Sequence, residues 1–225
     1  MGRTATYDGI ADWYETEFLP GHRGPGPDGD PLELRRLLRQ TLGEGAGTCL
    51  EIGCGTGANA AWVRDLGWTP VGVDLSGGML RHAHGRLPAA RADATRLPVR
   101  DGSVPAVLSM MAHTDMPDYP TVLREAARVL RPGGRLAHIG VHPCFCGGFA
   151  DRTDPAGVVL RPGYLDGHWT RRSWTTAGLR DKVGASHWPL PALLGAFRDA
   201  GLTLDSFDEG GSPTPTVLAV RATKP

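Results

Sequence analysis

The chain has 225 residues, enough for one large domain or one domain carrying a sizeable insertion. Lys+Arg and Asp+Glu are 24 each, so the formal net charge is zero and the basic surplus of a protein living by phosphate contacts to nucleic acid is missing. Gly 32 and Pro 19 approach a low-complexity composition, but six Trp and regular apolar segments argue against one.

The opening residues contain no apolar stretch of signal-peptide length, and no segment nears the ~18–20 apolar residues of a membrane span. A cytoplasmic protein with reduced cysteines at 49, 54, 144 and 146, and no membrane partner, is therefore expected. Asp30-Pro31-Leu32-Glu33 predicts a helix start, with Asp30 as cap and Pro31 in the first turn. Leu34, Leu37, Leu38 and Leu42 mark its apolar face, and Gly43 ends it. A strand over 48–52 runs into Gly53-Cys54-Gly55-Thr56-Gly57, followed by a helix over 58–66. A second strand (70–74), a helix (76–84), a short third strand (89–92) and an apolar fourth strand (104–111) come next. A helix over 120–130 stops at Pro132-Gly133-Gly134, and a fifth strand covers 135–141. After an aperiodic stretch at 143–189, a helix (191–200) and two strands (202–207 and 216–221) close the chain. Strands alternating with helices predict an α/β fold: a Rossmann-like, doubly wound, mostly parallel sheet, seven-stranded with its C-terminal antiparallel hairpin, in a single domain.

The glycines of the loop at 53–57 allow a sharp turn and close approach of a ligand, and the next helix aims its first amides at that ligand. Asp74 ends the second strand, where a carboxylate can accept hydrogen bonds from both hydroxyls of a ribose. Two cofactors fit. Gly53-x-Gly55-x-x-Ala58 satisfies the permissive dinucleotide pattern, which would make the chain an NAD(P)-dependent oxidoreductase. Glu51 opposes it, since a carboxylate on the binding edge suits a cationic amino group better than a pyrophosphate. An acid after the third strand, Asp93, and the closing hairpin tilt the same way.

LEIGCGTG, VGVDLS, RADATRLPVRDGSV and REAARVLRPGGRL, in this order, resemble the motifs of class I S-adenosylmethionine-dependent methyltransferases, in particular the small bacterial type with the E-x-G-C-G-T-G loop. The resemblance is strong over about residues 45–141 and looser over the tail. It implies that S-adenosyl-L-methionine is the cofactor. By it, Glu51, Gly53, Cys54, Gly55 and Gly57 line the methionine part and Asp74 holds the ribose. Leu75 and Met79 flank the adenine, Asp93 and Ala94 cap it, and Met110 and Met111 pass beside the methyl. Residues 1–43, with Tyr14, would form a helical lid over the cofactor. Pro105 departs from the family, which often places Asp there.

Methyl transfer to O or N often needs a base, so His113 after the fourth strand and His142 after the fifth are the catalytic candidates. His113, His142, Trp169, Trp174 and His187 are expected to meet the substrate, with residues 143–189 as its cap. His142-Pro-Cys144-Phe-Cys146 lacks the three or four converging ligands of a metal site, and no metal is expected. Asp115 and Asp118 could bind a cation with substrate, although Asp118 more simply caps the following helix. The expected function is methylation of a small-molecule acceptor in bacterial secondary metabolism by a monomer or homodimer. A peptide acceptor, a non-methylating cyclase-type or binding role on the same fold, and the oxidoreductase stand as alternatives.

Overall fold

The computed structural model describes residues 5–22, 30–154, 157–174 and 177–225. Residues 1–4 and 23–29 of the expected lid segment therefore lie outside the described residues. Near-continuous burial along the central strands requires a sheet covered on both sides. Cys49, Ala106 and Leu108 pack with Leu37, Leu38 and Val63 on one side, while Leu50, Ile52 and Val107 pack with Leu123 and Phe197 on the other. The helices supplying these side chains are α1 (Leu34–Thr41) and α2 (Ala60–Asp65) on the first side, and α4 (Tyr119–Val129) and α6 (Leu190–Asp199) on the second.

The strands are β1 (Thr48–Ile52), β2 (Thr69–Asp74), β3 (Ala89–Arg91), β4 (Val104–Met110), β5 (Leu130–Val141), β10 (Thr203–Gly210) and β11 (Val217–Thr223), with α3 (Gly77–Ala83) between β2 and β3. Their spatial order is β10-β11-β5-β4-β1-β2-β3. Pairings from β5 to β3 are parallel, and β11 joins β5 and β10 antiparallel. The expected seven-stranded sheet with its closing hairpin is thus present. The order reverses between β1 and β4, so their loops diverge there and open a crevice at the carboxyl ends of the strands.

Two boundaries differ from expectation. Helix α1 begins at Leu34, with Glu33 in a left-handed conformation before it (φ 56°). Asp30 still caps it, but from a turn upstream, its carboxylate accepting from the amides of Leu34 at 2.7 Å and Arg35 at 2.6 Å. Strand β5 starts at Leu130 directly out of α4. Val104 pairs with Leu130 and Ala106 with Arg135, so residues 131–134 bulge opposite Pro105, which has no amide to give a ladder.

Residues 143–189 carry local order without long-range periodicity. Ladders β6–β7 (Ala150–Asp151 with Val159–Leu160) and β8–β9 (Trp169–Thr170 with Ala185–Ser186) flank a short helix α5 (Leu179–Val183). Each strand there has two residues, too short for a sequence pattern to announce. No helix among the described residues is long and apolar enough to cross a membrane.

Phe197 is fully buried where α6 meets α4 and the sheet. Phe197→Ala is expected to cost about 3–5 kcal/mol of unfolding free energy in urea titrations, with the m-value unchanged.

Candidate functional site

The chain leaves β1 by bending onto its neighbour. The amides of Gly53 and Cys54 both donate to the carbonyl of Val73, at 2.9 and 3.1 Å, and Gly57 closes the turn on the Cys54 carbonyl. A Cβ on Gly53 (φ 71°) would stand 2.8 Å from Cβ of Ala112 and 2.9 Å from Cε of Met116, so only glycine lets the loops after β1 and β4 meet. Asp74, at the end of β2, is oriented by two amides: Gly55 N donates to Oδ2 and Ser76 N to Oδ1, both at 2.8 Å. Burial pushes its pKa up while the two amides pull it down. Across the crevice Asp93 accepts from the Thr95 amide and hydroxyl.

Above these loops lies a cavity of about 570 Å³. Its wall includes Gly53, Cys54, Gly55, Asp74, Leu75, Met79, Asp93, Ala94, Met110 and Met111, and, from the N-terminal segment, Tyr14. Trp169 and Trp174 line it as well. The residues suit an adenosyl ligand. A rigid carboxylate stands at ribose position, Leu75 and Met79 supply apolar surface, and a Cβ on Gly55 would stand 3.3 Å from Cε of Met79 and narrow the space between them.

Two expected cofactor contacts are displaced. Glu51 is 1% exposed and stands one layer behind the wall, its Oε1 accepting from Nδ2 of Asn59 at 2.9 Å, so that Asn59 meets the cavity in its place. Gly57 packs inward, where a Cβ would lie 2.4 Å from Cδ2 of Leu87. Asn59 had no signal beyond its place on the first turn after the glycines.

The histidines are displaced too. His113 is 2% exposed, its ring 4.9 Å centroid to centroid from that of His138 and 5.7 Å from that of Tyr119. It does not line the large cavity. With His187 it lines a cleft of about 10 Å³, which shares Val141, Cys146 and Trp174 with the cavity and has room for about one water. His187 Nε2 is hydrogen-bonded to the Tyr164 carbonyl at 2.6 Å. Both nitrogens of His142 are engaged, Nε2 with Glu209 at 2.8 Å and Nδ1 as acceptor from the Cys144 amide at 3.1 Å, which takes it out of reach of a ligand.

Asp115 and Asp118 are likewise occupied. Asp118 caps α4 through the Thr121 amide and hydroxyl. Asp115 forms a short ion pair with Arg180 and accepts from the Tyr7 hydroxyl at 3.1 Å. Arg180 also donates to Thr114 Oγ1 and the Gly184 carbonyl, and lies 5.5 Å from the Trp174 ring centre. Burial raises the Asp115 pKa, opposed by the guanidinium, and drives the Tyr7 phenol well above its ordinary range. This cluster joins the N-terminal segment, the loop after β4 and α5 at one point of the wall. A second tie fixes the segment: Asp8 Oδ1 accepts from the Ser76 hydroxyl at 2.7 Å and the Gly78 amide at 2.9 Å, at the start of α3.

Residues 50–138 match the family model described as a methyltransferase domain. Methyltransferase GfsG of Streptomyces halstedii is 38% identical over 135 residues, covering 52% of this chain and 49% of the relative. The chain spans about half the length of the curated relatives it matches. Among solved structures, an S-adenosylmethionine-dependent methyltransferase from Mesorhizobium loti superposes with a TM-score of 0.71 at 24% identity, covering 88% of this chain and 100% of that one. The [4+2]-cyclase SpnF superposes with a TM-score of 0.65 at 19% identity over 100% and 99% of the two chains. Both likenesses concern the fold.

Removing one charge of the buried pair should expose its cost. Asp115→Ala is expected to lose about 3–5 kcal/mol in urea unfolding, and Asp115→Ala combined with Arg180→Leu to recover much of it; a double variant as unstable as the single one would contradict this. Burial holds His113 well below the ordinary 6.5 and His138 down at about 3. Both are neutral when folded and bind protons on unfolding, so their stabilisation is full above pH 6.5 and is lost as the pH falls through the window down to the folded values. Unfolding free energy should drop by up to about 1.4 kcal/mol per pH unit per imidazole below 6.5, and His138→Asn should flatten that slope in urea titrations at stepped pH.

Proposed function

We propose, from the match of residues 50–138 to a methyltransferase-domain model, that this chain is a class I S-adenosylmethionine-dependent methyltransferase that transfers a methyl group to an oxygen or nitrogen of a small molecule. Bound in the cavity, S-adenosyl-L-methionine supplies an electrophilic methyl on a sulfonium, and the rest is positioning. The observation that carries the reading is the Asp74 carboxylate, held by the amides of Gly55 and Ser76 at the end of β2, where it accepts from the ribose. The N-terminal segment, tied down through Asp8 and Tyr7, excludes water from the reacting atoms. The acceptor occupies the part of the cavity walled by Trp169 and Trp174 under the cap of residues 143–189.

Secondary metabolism in the bacterial cytoplasm is the setting we infer, supported by the likeness to the Streptomyces methyltransferase. The methyltransferase domain replaces the dinucleotide reading of Gly53-x-Gly55-x-x-Ala58. A cyclase-type role is the second reading, since the fold is one that the [4+2]-cyclase SpnF also has. It predicts cofactor retention without transfer of labelled methyl to any compound of a native extract.

Calorimetry tests the first reading. S-adenosylhomocysteine should bind the intact chain, and Asp74→Ala should weaken it at least tenfold with far-UV circular dichroism unchanged. Absence of binding by both S-adenosylmethionine and S-adenosylhomocysteine would refute it.

A further inference from the structure

The charged groups on the cavity wall are matched in all but one place. Asp115 is paired with Arg180, Asp74 and Asp93 are held by backbone amides, and Asp118 caps α4. Arg152, half-buried on the same wall, differs. Its guanidinium makes one hydrogen bond, from Nη1 to Sγ of Cys146 at 3.6 Å, and no carboxylate among the described residues lies within 4.0 Å of it. The neighbouring acid Asp151 is turned away and bonded to Arg161 and to Thr153. Burial pushes the Cys146 thiol up to about 11, so the guanidinium faces a neutral sulfur. Val217, Trp169 and Trp174 line the same cavity, and the one other cation among the described residues of its wall, Arg180 beside Trp174, is already paired with Asp115.

A guanidinium drawn partly out of water against such a surface gives up hydration that an anion restores best, and its planar fork of donors matches a carboxylate two bonds at a time. Apolar body and fixed cation together describe the molecule that fits. We propose that Arg152 receives a carboxylate of the methyl acceptor, whose apolar body lies against Trp169, Trp174 and Val217. This rests on the methyltransferase reading above and narrows its acceptor to organic acids.

The test uses the intact chain saturated with S-adenosylhomocysteine, titrated calorimetrically with 2-naphthoate and 4-phenylbutyrate and with the matching uncharged amides. At least one acid should bind at least tenfold more tightly than its amide. Arg152→Leu should abolish that preference and Arg152→Lys keep part of it, with the affinity for S-adenosylhomocysteine equal in all three proteins. Equal affinity of acid and amide, no binding of either acid, or a preference surviving in Arg152→Leu would overturn the assignment while leaving the methyltransferase reading standing. Failure of the wild-type chain to bind S-adenosylhomocysteine would instead remove the premise of both.

Discussion

Two amides converge on one carbonyl at the centre of this molecule, and the site follows from them. By donating to Val73, Gly53 and Cys54 turn the chain out of β1 and across β2 before α2 can begin. That path brings Gly55 N to the carboxylate of Asp74, so the loop that would touch the methionine part and the acid that would take the ribose are fixed to each other. It also sets the loop against Ala112 and Met116, which is why the position admits no side chain. The sheet supplies the remainder of the constraint, because reversal of strand order beside β1 leaves these loops with open space above them.

The other half of the cavity is assembled from distant stretches of chain. Tyr7, Asp115 and Arg180 come from three separate parts and meet in a buried, charged contact. A buried ion pair is weak support for stability, but it tolerates few alternative arrangements. Its worth here is geometric, since it sets how the N-terminal segment and residues 143–189 stand relative to the β4 loop.

The βα alternation, the closing hairpin and the glycine loop were legible because each has a local cause: period, turn chemistry, capping. Ser76 and Asp118 cap their helices as short polar residues before apolar runs do. What sequence reasoning misplaced depends on long-range packing. His113 and His142 follow their strands at the expected edge, yet one turns inward against His138 and Gly140 and the other is consumed by Glu209, 67 residues away. Arg180 and Asn59 carried no motif, and the two-residue strands of 143–189 exist through contacts that no short window contains.

Glu51 illustrates how a concealed charge still shapes the surface in front of it. A carboxylate only accepts, so the amide of Asn59 must turn its nitrogen inward, and its carbonyl oxygen is rotated to the opposite side. The acid keeps its charge behind the wall, and Asn59 is the group through which it bears on the cavity. The cost of burying that carboxylate is met within the fold, so the surface in front of it carries an acid's potential while presenting only an amide.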